Sequence, residues 1–237
     1  MIQNEGKPFL LWASARTASS AFFYEYADRN NGKVQYMKHE PLNVQKTLQE
    51  GGILEIISQK YSFKCMVNTS LVMDYWIEKR FHSDYTPRAE IMRKELDNIQ
   101  QAIPIMDYTH IILYRRDLYA RQRSFMFSKY NDVWSKDDIK NAKDFSWHQF
   151  DKEYIPELID EAIKWEIEVL DKYVERINIL KEHDISYQIV EFNDAIQYIG
   201  KDTSQGTKQY YDEMFQSEEL KKSLENLITN HKFYSMI

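Results

Sequence analysis

One basic side chain stands among small hydroxyl residues at the end of an apolar run. Phe9-Leu10-Leu11-Trp12-Ala13 leads into Ser14-Ala15-Arg16-Thr17-Ala18-Ser19-Ser20, and Ala21-Phe22-Phe23 follows. The pattern predicts a strand, a tight loop and the start of a helix. Such a loop can hold an anion. The first N–H groups of a helix have no partner within it, and the helix dipole is positive at that end. Arg16 adds a full charge, and Thr17, Ser19 and Ser20 add hydroxyl donors. The competing reading is an ordinary small-residue turn before a buried helix. With Ala18 where a glycine would serve best, the turn is expected to avoid positive φ at that position.

A second group has the same design. Thr109-His110-Ile111-Ile112-Leu113-Tyr114 reads as a buried strand that ends in Arg115-Arg116-Asp117, and a helical stretch follows over 118–130. Ser124 lies eight positions after Arg116, about two helical turns into that stretch. An arginine at a strand end and a serine in the next helix can converge on one anion. Arg115 competes with Arg116 for this place, because side chains alternate along a strand. Arg121 and Arg123 read as a solvated basic face. His110, inside a strand, reads as a structural core histidine.

A third group offers a base. Residues 34–38 read as a strand, and His39-Glu40-Pro41 closes it. Pro41 disfavours the helical region for Glu40, so the segment should be extended or turning. Ligands of open α/β sheets sit at the carboxyl ends of strands, which places Glu40 and His39 beside the first loop. The alternative for Glu40 is an ion pair with Lys38 or a loop arginine.

Ala15-Arg16-Thr17-Ala18-Ser19-Ser20 is not a Walker A sequence, because no glycine lies between Gly6 and Gly32. It resembles the 5′-phosphosulfate loop of sulfotransferases, usually Pro-Arg/Lys-Ser-Gly-Thr-Thr, with Ala15 in place of the proline and Ala18 in place of the glycine. Arg116 and Ser124 match that family's arginine and serine at the 3′-phosphate, with Leu118 in place of the usual proline. The resemblance implies a P-loop-NTPase-like three-layer sandwich and an enzyme that uses 3′-phosphoadenosine 5′-phosphosulfate (PAPS). Arg16, Thr17, Ala18, Ser19 and Ser20 would hold the 5′-phosphosulfate. Arg116 and Ser124 would hold the 3′-phosphate. Glu40 would be the general base, with His39 as runner-up, in transfer to a hydroxyl or amine of a carbohydrate or small-molecule acceptor. Lys208, beside Gly206, would come from a late loop that closes on the nucleotide, and Lys64 is a further candidate for lining the site. A kinase-like phosphotransferase and a non-catalytic nucleotide- or glycan-binding relative are the alternatives. No cluster has metal-ligand spacing, so no metal is expected.

The elements that must position these groups are α/β in character. Strands are expected at 8–13, 34–38, 62–68, 109–114 and 185–192. Helices are expected at 19–29, 43–50, 88–102, 117–130, 153–183 and 217–230. Alternating strands and helices imply one domain over 1–237, with a mostly parallel central sheet flanked by helices. The 153–183 segment carries its apolar residues on a helical period and reads as scaffold. The 131–149 segment, with Trp134, Trp147 and His148, reads as a lid over the acceptor or as a surface loop. Tyr36, Trp76, Trp134 and Trp147 are compatible with stacking on a sugar.

Composition sets limits. The chain has 237 residues, 43% of them hydrophobic, enough for a sizeable core. A net charge of −6 and a pI near 5.6 argue against general nucleic-acid binding. The single cysteine, Cys65, excludes an intramolecular disulfide and reads as a buried strand residue. No apolar run reaches membrane-spanning length and the first residues lack a basic-then-apolar signal, so a cytoplasmic location is expected.

Overall fold

The computed structural model describes residues 7–30, 32–33, 40, 53–67, 107–131, 155–200 and 216–237. In chain order these form β1 (Phe9–Ala13), α1 (Ser19–Arg29), α2 (Ile53–Ser58), β2 (Phe63–Met66) and β3 (Thr109–Tyr114). Then come α3 (Leu118–Asn131), α4 (Ile155–Glu182), β4 (Tyr187–Glu191), α5 (Phe192–Ile199), α6 (Glu218–Asn230) and α7 (Lys232–Met236). The four strands make one sheet in the order β2-β1-β3-β4, and every pairing is parallel. The expected strand at 34–38 and helices at 43–50 and 88–102 lie outside the described residues.

All five residues of β1 are buried, as a strand covered on both faces requires. Alternation sends Phe9, Leu11 and Ala13 to one face, where they meet Phe22, Phe23 and Tyr26 of α1 and Ala195 and Ile199 of α5. Leu10 and Trp12 point to the other face, among Val169, Tyr173 and Ile177 of α4 and Phe233 of α7. The fold is therefore α/β, with helices on both faces of a parallel sheet. Among the described residues no helix is long and apolar enough to cross a membrane.

The sheet order carries a consequence for ligands. β2 lies on one side of β1, and β3 lies on the other. The loops leaving the carboxyl ends of β1 and β3 therefore part at this point, which in open α/β sheets opens a crevice. Residues 14–18 and 115–117 are those loops.

The helix starts differ. Ser217 caps α6 by accepting from Leu220 N–H, and Glu218 and Glu219 occupy its first turn. The Glu191 carboxylate caps α5 by accepting from Asn193 N–H, and Gly200 ends that helix at φ 67°. The start of α1 has neither a side-chain cap nor an acidic residue in its first turn.

Candidate anion-binding site at the head of the first helix

The loop after β1 is held from beneath. Ser14 N–H donates to the Tyr173 hydroxyl (2.8 Å), which donates in turn to the Leu113 carbonyl (2.7 Å). The Thr17 hydroxyl donates to the Ser14 carbonyl (2.8 Å). The Arg121 guanidinium donates to the Ser14 hydroxyl and forms a buried ion pair with Glu166, which also accepts from the Gln122 amide (2.6 Å). Burial pushes the Glu166 carboxyl up, and Arg121 and Gln122 oppose that push. Arg121 is thus an interior residue rather than part of a solvated face, and Arg123 is half-buried with its guanidinium 4.9 Å from the centre of the Tyr119 ring.

Anchored in this way, the loop adopts strained backbone. Arg16 has φ 63° and Ala18 has φ 54°. The expectation that Ala18 would avoid positive φ is corrected. A left-handed alanine costs about 1–2 kcal/mol, and the fixed ends of the loop hold it there. Residues 16, 17 and 18 alternate in the sign of φ, because Thr17 is not among the positive-φ residues. Such alternation turns successive N–H groups towards one concave side, which suits an anion.

Two cations flank this turn. Arg16 Nε donates to the Ser124 hydroxyl of α3 across the crevice (2.8 Å). Lys64 reaches up from β2, on the face covered by α1, and donates to the hydroxyls of Ser19 (3.1 Å) and Ser20 (2.8 Å). Its ammonium also forms an ion pair with Glu40. The Lys64 side chain is only 3% exposed. A buried ammonium beside the positive end of a helix needs a countercharge, and the Glu40 carboxylate provides it.

The sequence candidates fall into distinct places. Lys64 joins Ser19, Ser20 and Glu40 at the head of α1, and Arg16 pairs with Ser124 across the crevice. The Thr17 hydroxyl is turned inward to Ser14, so only its backbone faces the concave side. Arg116 is not brought to Ser124. Its backbone N–H donates to Glu191 (3.1 Å), and its exposed side chain lines a groove with Ile228, His231, Lys232 and Tyr234. Arg115 is the one that faces the loop. Its Nη1 donates to the Arg16 carbonyl at 3.4 Å, and its guanidinium lies 4.3 Å from the centre of the Phe192 ring. His39, Lys208, Tyr36, Trp76, Trp134, Trp147 and His148 lie outside the described residues. Comparison of the chain with family models, curated proteins and solved structures found no match.

His110 and Cys65 belong to the core on the α4 side. Trp12 Nε1–H donates to His110 Nδ1 (3.1 Å), which leaves the imidazole proton on Nε2. Burial, reinforced by the Arg176 charge, lowers the His110 pKa to about 4. A depressed histidine stabilises the fold above its ordinary pKa near 6.5, and that stability is lost as pH falls towards 4. In a His110→Asn variant, which keeps an acceptor for Trp12, the loss of stability between these pH values should shrink by about 3 kcal/mol. Urea unfolding of both proteins across this range checks it, and identical pH profiles would refute it.

Proposed function

We propose that this chain is a sulfotransferase that uses PAPS to modify a hydroxyl or amine of a carbohydrate or small-molecule acceptor. The observation that carries the reading is the placing of Arg16 and Lys64 on either side of the uncapped first turn of α1, where the β1 and β3 loops part. This donor set fits a 5′-phosphosulfate: two cations, the hydroxyls of Ser19 and Ser20, and the N–H groups of a strained loop. When bound, PAPS would supply a sulfuryl group activated by its anhydride link to phosphate.

The chain's own residues then have simple roles. Arg16 and Lys64 oppose negative charge that grows on the bound group. Ser19 and Ser20 accept from Lys64, which leaves their own protons to donate. Glu40 takes the acceptor proton if its carboxylate can leave Lys64. For the 3′-phosphate, Ser124 remains the proposed hydroxyl. Arg115, already at the loop, takes the role that the sequence spacing suggested for Arg116.

Three nucleotides test the reading. 3′-Phosphoadenosine 5′-phosphate should raise the melting temperature more than ATP or GTP, and radiolabelled sulfate should pass from PAPS to members of an acceptor library. Arg16→Ala should weaken the first nucleotide and lower turnover by on the order of 10²-fold, the worth of about 2–4 kcal/mol from charged hydrogen bonds. A preference for ATP or GTP would turn the reading to a phosphotransferase. Selective binding with no transfer to any acceptor would turn it to a non-catalytic relative. A folded Arg16→Ala protein with unchanged binding and rate would remove Arg16 from the site.

A further inference from the structure

On the opposite face of the sheet from α1 lies a buried cation that forms no ion pair among the described residues. Arg176, on α4, is 5% exposed. Its guanidinium carbon lies 4.0 Å from the centre of the Trp12 ring. Neither Nε nor Nη1 has a hydrogen-bond partner among the described residues. Among the described residues, the buried groups around it are neutral. His110 is uncharged, and burial holds the Cys65 thiol at about 12. The nearby Glu175 is half-exposed to solvent and bonded to Lys172 (2.7 Å). Contact with an aromatic ring offsets only part of the loss of water by a guanidinium. His110 adds a second unmet donor, because its Nε2 is buried with no partner among the described residues. Among the described residues, the buried groups beside Arg176 therefore offer N–H donors and one thiol, and no carboxylate bonds to it. Its chemical complement is an acceptor that carries negative charge, and the planar guanidinium favours oxygen acceptors.

We propose that Arg176 is the anchor of a second, separate site that takes a small oxyanion or the carboxylate of a larger molecule, with the Trp12 ring as its floor and His110 as a neighbouring donor. Arg176 is one helical turn from Tyr173, whose hydroxyl holds Ser14 and Leu113 at the carboxyl ends of β1 and β3. The site thus lies just under the crevice, behind the loop rather than in front of it. The proposal does not depend on PAPS.

The test compares the wild-type chain with Arg176→Met in zwitterionic buffer of low ionic strength, as sodium sulfate or sodium acetate is added. Methionine fills similar space without charge. Without added anion, Arg176→Met should melt at or above the wild-type temperature, because it removes an uncompensated buried charge. At roughly a hundredfold excess of anion over its dissociation constant, wild type should gain about 5–10 °C more than the variant. Sulfate also reaches the α1 loop, but that response is common to both proteins and cancels in the difference. The same difference should persist in an Arg16→Ala background, where nucleotide binding is expected to be weakened, so failure of the nucleotide reading leaves this result untouched. Parallel curves for wild type and Arg176→Met would overturn the proposal. So would a constant deficit of Arg176→Met at every anion concentration, which would mean that a carboxylate of the chain itself satisfies the guanidinium. An equal response to sodium chloride at matched ionic strength would overturn the assignment to oxyanions. If Arg176→Met does not fold, the Nε–H resonance of Arg176 in the Arg16→Ala protein, identified by its contact with the Trp12 ring, decides. It should move on addition of sulfate, and a fixed resonance refutes the site.

Discussion

Replacing Glu166 with alanine should lower the unfolding free energy by about 3–5 kcal/mol, or roughly 10 °C in melting temperature. The reason is the state in which Arg121 is left. Glu166 is fully buried, and Arg121 is 2% exposed. Both oxygens of Glu166 are engaged by the guanidinium, and Gln122 donates to one of them. Removing the carboxylate strands a charge and an amide in the core. Removing both charges is a different experiment. Arg121→Met with Glu166→Leu should recover most of the loss, since a buried pair is often no more stabilising than apolar residues of similar volume. The double variant should still bind nucleotide poorly, because the Ser14 hydroxyl loses its Arg121 donor and the loop loses an anchor. Chemical denaturation gives the first result, and nucleotide titration of the double variant gives the second. A Glu166→Ala protein within about 1 kcal/mol of wild type would show that the pair does not hold the loop.

This network marks where the sequence was opaque. Glu166 sits on the apolar stripe of α4, four residues from both Ala162 and Leu170, and Arg176 sits four residues before Leu180. A charge on a buried stripe is a readable sign of a paired or functional group, but its partner is not, because Arg121 lies 45 positions away from Glu166. β1, β3 and α1 were legible from local signals: unbroken apolar runs for buried parallel strands, and small hydroxyl residues at a helix start. α5 was missed. Phe192 reads from the sequence as the end of a strand, yet it opens this helix, which Glu191 and Gly200 cap. The spacing of Arg116 and Ser124 suggested a pair along the chain. Sequence distance could not reveal that Arg16, arriving from another strand, takes the serine. Ala18 shows the reverse limit. Alanine's intrinsic preference is against positive φ, and the tertiary anchors override it.

Glu40 and Lys64 give the sharpest functional contrast. In the free protein the Lys64 ammonium is held between the Glu40 carboxylate and two serine hydroxyls. An anion at the α1 terminus competes with Glu40 for that ammonium. Glu40→Gln removes the competitor and leaves a buried cation in search of a charge. 3′-Phosphoadenosine 5′-phosphate should then bind about tenfold more tightly, the equivalent of about 1.4 kcal/mol. If Glu40 is also the base, single-turnover transfer should fall by about 10²-fold or more, because glutamine cannot accept the proton. Lys64→Met should do the opposite to affinity, weakening the nucleotide by on the order of tenfold or more through loss of a charged hydrogen bond. Affinity and rate thus separate two roles for one carboxylate. Tighter binding with a collapsed rate assigns Glu40 as both counter-ion and base. Tighter binding with a normal rate leaves it a counter-ion alone, and His39 becomes the residue to replace next. Unchanged affinity in both variants would mean that the anion does not meet Lys64, and the site at the head of α1 would have to be abandoned.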